Sequence, residues 1–285
     1  MMPELTFHGL DIGRVQPNDD LVGRIVETTA EEYPLADSDI VVVTAKVASF
    51  AENRLVEADG VEVTDRDHRV ADVTGIDPRE VAVIYDESEV IGAIPIAAVG
   101  ENMLLEHAVD PEAAQEALAD VPAMLVTERN GRLCTNAGVD WSNSPEGMMT
   151  LLPEDPDESA RRLREGIEAQ TDADVAVVLA DSEIGGPGSM DLAIGCSGIE
   201  AIDSSFGQTD LYGTPKVGGV DLVADELTAG SALLFGQADE QVPVTVVRGL
   251  EYEDGEGVPN SGGVVRRGLR KSIQLTARLK AREWF

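Results

Sequence analysis

Lysine is nearly missing from this chain of 285 residues: Lys46, Lys216, Lys271 and Lys280 are all there are. Basic side chains number 21 against 54 acidic ones, a formal net charge of −33, and the acid is spread along the whole length. Binding of nucleic acid rests on Lys and Arg displacing counterions from phosphates, so a surface of this sign excludes nucleic acid as a partner. Cysteine is scarce as well. Cys134 and Cys196 lie far apart, without the spacing of a metal site, which excludes a disulfide framework and reads as two reduced core thiols in a cytoplasmic protein. Long apolar runs are absent: no window approaches the roughly 20 apolar residues of a membrane span. The opening residues, M-M-P-E-L-T-F-H-G-L-D, lack a basic region followed by an apolar core. A soluble, unexported protein is expected, with no membrane partner. Histidine is limited to His8, His68 and His107, whose spacing suggests no site.

Against these absences stands a hydrophobic fraction of 43%, enough to bury a full core and to exclude a disordered acidic chain. An acidic, lysine-poor surface on such a core suits concentrated salt, where repulsion is screened within about 3 Å at 1 M, and a halophilic source is inferred.

Helix and strand signals are interspersed. Asn18, Asp19 and Asp20 can cap a helix running to about Tyr33, with Leu21, Ile25 and Val26 on one face, and Pro34 ends it. Asp39 to Val47, Val81 to Tyr85 and Ala123 to Thr127 read as strands, being short and rich in β-branched residues. Asp174 to Asp181 reads as another, with Asp181 and Ser182 at its carboxyl end, where open sheets place ligand-binding groups. Leu222 to Phe235 reads as a helix, and Val242 to Gly249 as a strand ending in Arg248. No internal repeat, linker or tail separates from the rest.

Residues 132 to 165 are the most informative stretch. A short apolar segment runs into Asn136, Ala137 and Gly138, and presents Asp140 and Asn143. Asp155, Pro156 and Glu158 then supply a cap, a first helical residue and a capping-box acid, so a helix starts at about Pro156. Asn and Gly tolerate the dihedrals of a tight connection, which lets Asp140 and Asn143 point together into a cleft that holds a cation. An acidic surface turn has the same composition, and both readings stand. Trp141 beside them is either a ring for stacking or a wedge packed on the loop. The last stretch reverses the charge: Arg266, Arg267, Arg270, Lys271, Arg278, Lys280 and Arg282 put a third of the basic side chains in seventeen residues. It reads as a phosphate-binding patch or as a solvated helix paired with the acidic body or a second subunit.

These residues resemble the coenzyme F420:L-glutamate ligase family. N-A-G-V-D-W-S-N at 136 to 143 is similar to the family's N-A-G-[IV]-D-x-S-N, and L-L-P-E-D-P-D-E-S-A-R-R-L-R at 151 to 164 is similar to the segment that follows it. Further matches are A-I-G-C-S-G at 193 to 198, D-L-Y-G at 210 to 213, V-A-D-E-L at 223 to 227, L-L-F-G-Q-A-D at 233 to 239 and V-V-R-G-L at 246 to 250, in order along nearly the whole chain.

The resemblance implies an α+β fold of mixed sheets with flanking helices, one ligase-like unit of two interleaved subdomains, and a homodimer. It implies attachment of L-glutamate to a deazaflavin with GTP as co-substrate and Mg²⁺ or Mn²⁺ as cofactor, K⁺ being a further candidate. Position by position, Asp140, Asp181 and Ser182 match the metal-binding positions, Ser182 standing where the family usually has threonine, and Gln237 is a further candidate for the metal. The nucleotide-contacting positions match Ile12, Gly13, Arg14 and Val15, then Ala45 and Lys46, then Asn143, and finally the loop Leu233, Leu234, Phe235, Gly236, Gln237, Ala238 and Asp239.

Two departures stand out. The family's S-K-A-E-G-R appears as Ser49-Phe50-Ala51-Glu52-Asn53-Arg54, so Phe50 replaces a lysine expected at nucleotide phosphate. Lys46 lies four residues earlier, roughly 13 Å away along a strand, and substitutes for it only if the backbone turns there. After Ser182, Glu183 to Met190 replaces an arginine-bearing stretch with a Gly-Pro cluster, which serves as a plain loop or as an amide nest for an anion. The readings that follow are the glutamate ligase itself, a paralogue joining an amine to a different carboxylate, and a non-catalytic nucleotide- or deazaflavin-binding protein.

Overall fold

A computed structural model describes residues 4–96, 101–184, 188–236 and 240–259, together with 268, 271, 272, 274, 277 and 278. The architecture is α+β, with mixed sheets and flanking helices. The chain divides into two compact units, Met1–Gly60 with Asp140–Val258, and Val61–Val139 with Pro259–Phe285.

The first unit is built on a five-stranded sheet in the order Thr6–Leu10, Val244–Arg248, Ile40–Thr44, Ala176–Ile184, Ser189–Ser197. The central pair, Ile40–Thr44 and Ala176–Ile184, is parallel, and the other neighbours are antiparallel. Its three inner strands are largely apolar at consecutive positions because both faces are covered, and successive side chains go to opposite faces. Val41, Val43, Val177 and Leu179 join Ile25 of the helix Leu21–Glu32 and Ile167 of the helix Pro156–Glu168 in one core. Ile40, Val42, Ala176 and Val178 join Leu227 and Phe235 of the helix Val223–Phe235 in the other. The caps read from sequence fall where expected: Asp20 accepts from Gly23 N and Asp155 from Glu158 N, with Pro156 at the first helical turn.

The apolar run beginning at Asp39 corrects one expectation. It is strand only to Thr44; Ala45–Ala51 is a helix, so the backbone does turn before Lys46. Ala45, Ala48 and Phe50 pack into the core, whereas a continuing strand would send alternate residues elsewhere.

In the second unit, Glu89–Pro95, Ala123–Arg129 and Arg132–Thr135 form an antiparallel sheet, accompanied by the helices Asp65–Thr74, Pro78–Glu87, Glu101–Glu106 and Pro111–Asp120. Val81 to Tyr85, expected as a strand, lies within the helix Pro78–Glu87. The local start signal decides: the Asp77 carboxylate accepts from Arg79 N at 2.8 Å and Pro78 fits the first turn, so the helix sets the period and buries Val81 and Ile84 three residues apart. Among the described residues no helix is long and apolar enough to cross a membrane. Of the C-terminal basic residues, Lys271 and Arg278 are exposed on helical backbone, and Arg266, Arg267, Arg270, Lys280 and Arg282 lie outside the described residues.

Candidate active site

At the carboxyl ends of the parallel pair, the first unit holds a cavity of about 640 Å³. Thr44 pairs with Ala180, so the chain leaving one strand enters the helix carrying Lys46 just where the next strand presents Asp181 and Ser182. The antiparallel return strand sets Asp191 directly opposite Ser182. Asp140 and Asn143 reach the same cavity from the loop after Val139, which the bridge Asp140–Thr150 fixes through two main-chain hydrogen bonds of 3.0 and 2.8 Å. Asn143, like Asn136 and Ala137 upstream, has φ near +50°, the left-handed backbone that Asn tolerates and Ala does not favour. At Ala137 the amide nitrogen is held by Thr127 Oγ1 at 3.1 Å.

Asp140 is hydrogen-bonded through both of its carboxylate oxygens. Its Oδ2 accepts from Lys46 Nζ and from Ser142 Oγ, both at 2.6 Å, and its Oδ1 from Ser142 N at 2.7 Å. Burial alone would push its pKa up, but the bonds from Lys46 and Ser142 outweigh it and hold the carboxyl below the usual range. Asp181 shows the opposite balance. Burial, then Glu183, Asp191 and Asp140, push its pKa up to about 8, with Lys46 acting against them. Ser182 Oγ donates to Asp191 Oδ1 at 2.5 Å.

The residues expected at the site divide as follows. Asp140, Asp181, Ser182, Asn143, Ala45, Lys46, Gly13, Arg14, Val15, Phe235 and Gly236 all line this one cavity. Ile12 is instead a core residue, and Leu233 points to solvent with 86% of its surface exposed, because the last turn of its helix turns inward only at Phe235. Leu234 does not line the cavity either and keeps 38% of its surface exposed. Gln237, Ala238 and Asp239 lie outside the described residues, as do Gly185, Gly186 and Pro187 of the altered loop. Phe50 lines the cavity too, and on a helix it stands one turn from Lys46, about 6 Å rather than 13 Å away. Trp141 does not line it, and neither does any of the three histidines. The sequence reading missed Asp191, Ser144, Glu240 and the segment Gln241–Pro243. Only Asp191 left a signal: a Gly-Pro-Gly turn centred near 187 would pair it with Ser182.

The donor set is carboxylate and hydroxyl, the hard oxygen ligands of Mg²⁺ and Mn²⁺. Among the described residues no three acidic, His or Cys side chains stand close enough to hold an ion as they are. A cation does sit here already, the Lys46 ammonium against Asp140. The crowding that raises Asp181 is the field a divalent ion would relieve, so the residues fit such an ion in chemistry and in charge.

Fold and pocket together define an α+β protein whose cavity, where the parallel pairing ends, sets the acids Asp140, Asp181, Asp191 and Glu240 and the cations Arg14 and Lys46 among apolar side chains such as Val15, Val47 and Phe50. The profile of the family described as F420-0:Gamma-glutamyl ligase matches residues 9–249, and the chain belongs to that family. It is 35% identical to the coenzyme F420:L-glutamate ligase of Methanopyrus kandleri, over 93% of this chain and 96% of that one. The protein of the same name from Methanocaldococcus jannaschii is 33% identical over 79% and 81%, and that from Halorubrum lacusprofundi 32% over 90% and 94%.

Proposed function

We propose that this protein is a GTP-dependent ligase that joins the amino group of L-glutamate to a carboxylate of the deazaflavin precursor of coenzyme F420. The observation that carries the reading is the convergence of Asp140, Asp181, Ser182 and Lys46, from separate stretches of sequence, on one cavity in a chain of this family. A carboxylate is a poor electrophile. In the proposed reaction its oxygen attacks the terminal phosphorus of GTP and the bond to GDP breaks. The glutamate nitrogen then attacks the acyl phosphate carbon, loses a proton, and phosphate leaves.

Mg²⁺ or Mn²⁺, when bound, supplies neutralisation of charge on the transferring group, with K⁺ a further candidate cofactor. Asp140, Asp181 and Ser182 are the residues that would hold the divalent ion, with Gln237 a further candidate. Lys46 sits on a flexible four-carbon stem and can pair with a phosphate oxygen when it leaves Asp140. Phe50, with only 8% of its surface exposed, forms an apolar wall that keeps water from the reacting groups. A homodimer belongs to the same reading. Leu211, Tyr212 and Val217, almost wholly exposed on the segment between the paired strands Asp203–Ser204 and Val220–Asp221, are apolar area that a second copy would cover.

Incubation of the pure protein in molar KCl with GTP, Mn²⁺, L-glutamate and the deazaflavin tests the reaction. A product heavier by one glutamyl residue, formed together with GDP and phosphate, is expected; GTP turned over without any glutamylated product would overturn the proposal. Glu183, adding negative charge beside Asp181 at the start of the stretch that replaces the family's arginine-bearing one, favours one alternative, a paralogue that joins an amine to a different carboxylate. Phosphate release across a panel of carboxylates separates the two.

A further inference from the structure

We infer that Asp191 is a positioning residue of this site: it takes the hydroxyl proton of Ser182, so that the oxygen lone pairs of Ser182 face the cavity. The inference rests on the proposed role of Ser182 as an ion ligand. A hydroxyl can hold a cation only through a lone pair, and its single proton then needs an acceptor pointing elsewhere. Asp191 supplies one. It lies directly across from Ser182 in the antiparallel pair of Ala176–Ile184 with Ser189–Ser197, and its Oδ1 accepts from Ser182 Oγ at 2.5 Å.

The two partners differ in burial in the sense this role requires. Ser182 is exposed at the cavity, while Asp191 keeps only 4% of its surface accessible. Around Asp191 the strand is held by the helix Val223–Phe235. Thr228 Oγ1 donates to the main-chain oxygen of Asp191 at 3.0 Å, and two residues on, Ala193 N donates to Asp225 Oδ1 at 2.9 Å. The acceptor is therefore anchored before any ligand arrives, as outer partners of metal ligands are, and the V-A-D-E-L segment at 223 to 227 acquires a reason beyond core packing: Asp225 braces the strand that orients the hydroxyl.

The test is a double-mutant cycle read as Mn²⁺ affinity, by the electron paramagnetic resonance of free Mn²⁺, on the full chain without nucleotide. Asp191→Ala should weaken binding by about 10- to 100-fold, the range for loss of an outer partner. Asp191→Asn, whose carbonyl oxygen can still accept the proton, should recover most of that loss and keeps the buried side chain in case the alanine variant folds poorly. In a Ser182→Ala background, Asp191→Ala should change affinity by no more than about twofold, the scatter of independent sites. Equal weakening in both backgrounds would mean that Asp191 acts on the ion directly and would overturn the inference, as would full Mn²⁺ affinity in Asp191→Ala. Failure of the unaltered protein and all variants to bind Mn²⁺ would instead remove the ion from the proposed function, and this inference with it.

Discussion

Phe50 removes a cation from the position where the family resemblance leads one to expect it, yet the cavity keeps one, because Lys46 stands a helical turn away on the same face. Read as a strand, the spacing of four separates the two side chains beyond exchange; read as the helix that it is, it makes them neighbours. The cation at the acids is thus a property of one backbone turn after Thr44. Asp181 is the other single residue whose state the cavity dictates. Its pKa rises from the ordinary 3.8 to about 8, so between those values the folded protein holds a proton that the unfolded chain has lost. The sign follows: below about pH 4 both states are protonated and Asp181 costs nothing; the cost grows as pH rises toward 8 and levels off above it. In buffer with a chelator, Asp181→Asn should melt at a higher temperature than the unaltered protein, with a difference that widens between pH 5 and 8 and reflects on the order of a few kcal/mol. A difference that stays constant over that range, by circular dichroism, would contradict the crowding of acids described here.

At the scale of elements, the helix Pro156–Glu168 connects motif to scaffold. Its first-turn Asp157 accepts from Cys196 N and Val258 N, both at 3.1 Å, which ties the return strand to the helix start. Gly195, beside Cys196, has no room for a side chain: an added Cβ would run into the main-chain carbonyl of Pro156. Gly195→Ala should therefore cost about 1–3 kcal/mol, visible as a lower urea midpoint with unchanged slope, and an unaltered midpoint would show that the helix start can retreat. The glycine of the A-I-G-C-S-G segment is explained by packing rather than chemistry. Local signals of this kind made much of the fold readable: the Asp20 and Asp155 caps, the doubly apolar strands, and Asp181 just past the end of the parallel pairing each carry their cause within a few residues, although the strand itself continues to Ile184. Where the cause is distant the reading failed. Nothing near Thr44 announces that the core wants a helix there, and β-branched Val81 to Tyr85 yielded to a cap set four residues earlier. Asp191 escaped notice because its importance lies in a partner across the hairpin, and Leu233 was assigned to the site because a loop motif does not say which of its residues face inward.

At the scale of the whole molecule, composition spoke before any element did. A net charge of −33 implies mutual repulsion that the folded state concentrates and the unfolded chain relaxes. Salt acts on two opposing terms. It weakens surface ion pairs such as Arg24–Asp19, each worth about 0–1 kcal/mol, and it screens the uncompensated acid, whose range falls from about 10 Å at 0.1 M to about 3 Å at 1 M. With 54 acids against 21 basic residues, most acids have no cation to lose, so the second term wins. The melting temperature should climb through 0.1, 0.5, 1 and 2 M KCl, steeply at first and then more gently once the screening length is shorter than the spacing of neighbouring carboxylates. Replacing KCl with an uncharged osmolyte of equal osmolality separates screening from general exclusion at the surface, since only the salt shortens the range of repulsion. A melting temperature that is flat or falling with KCl would mean that ion pairing outweighs repulsion, and the halophilic source inferred from composition would lose its support.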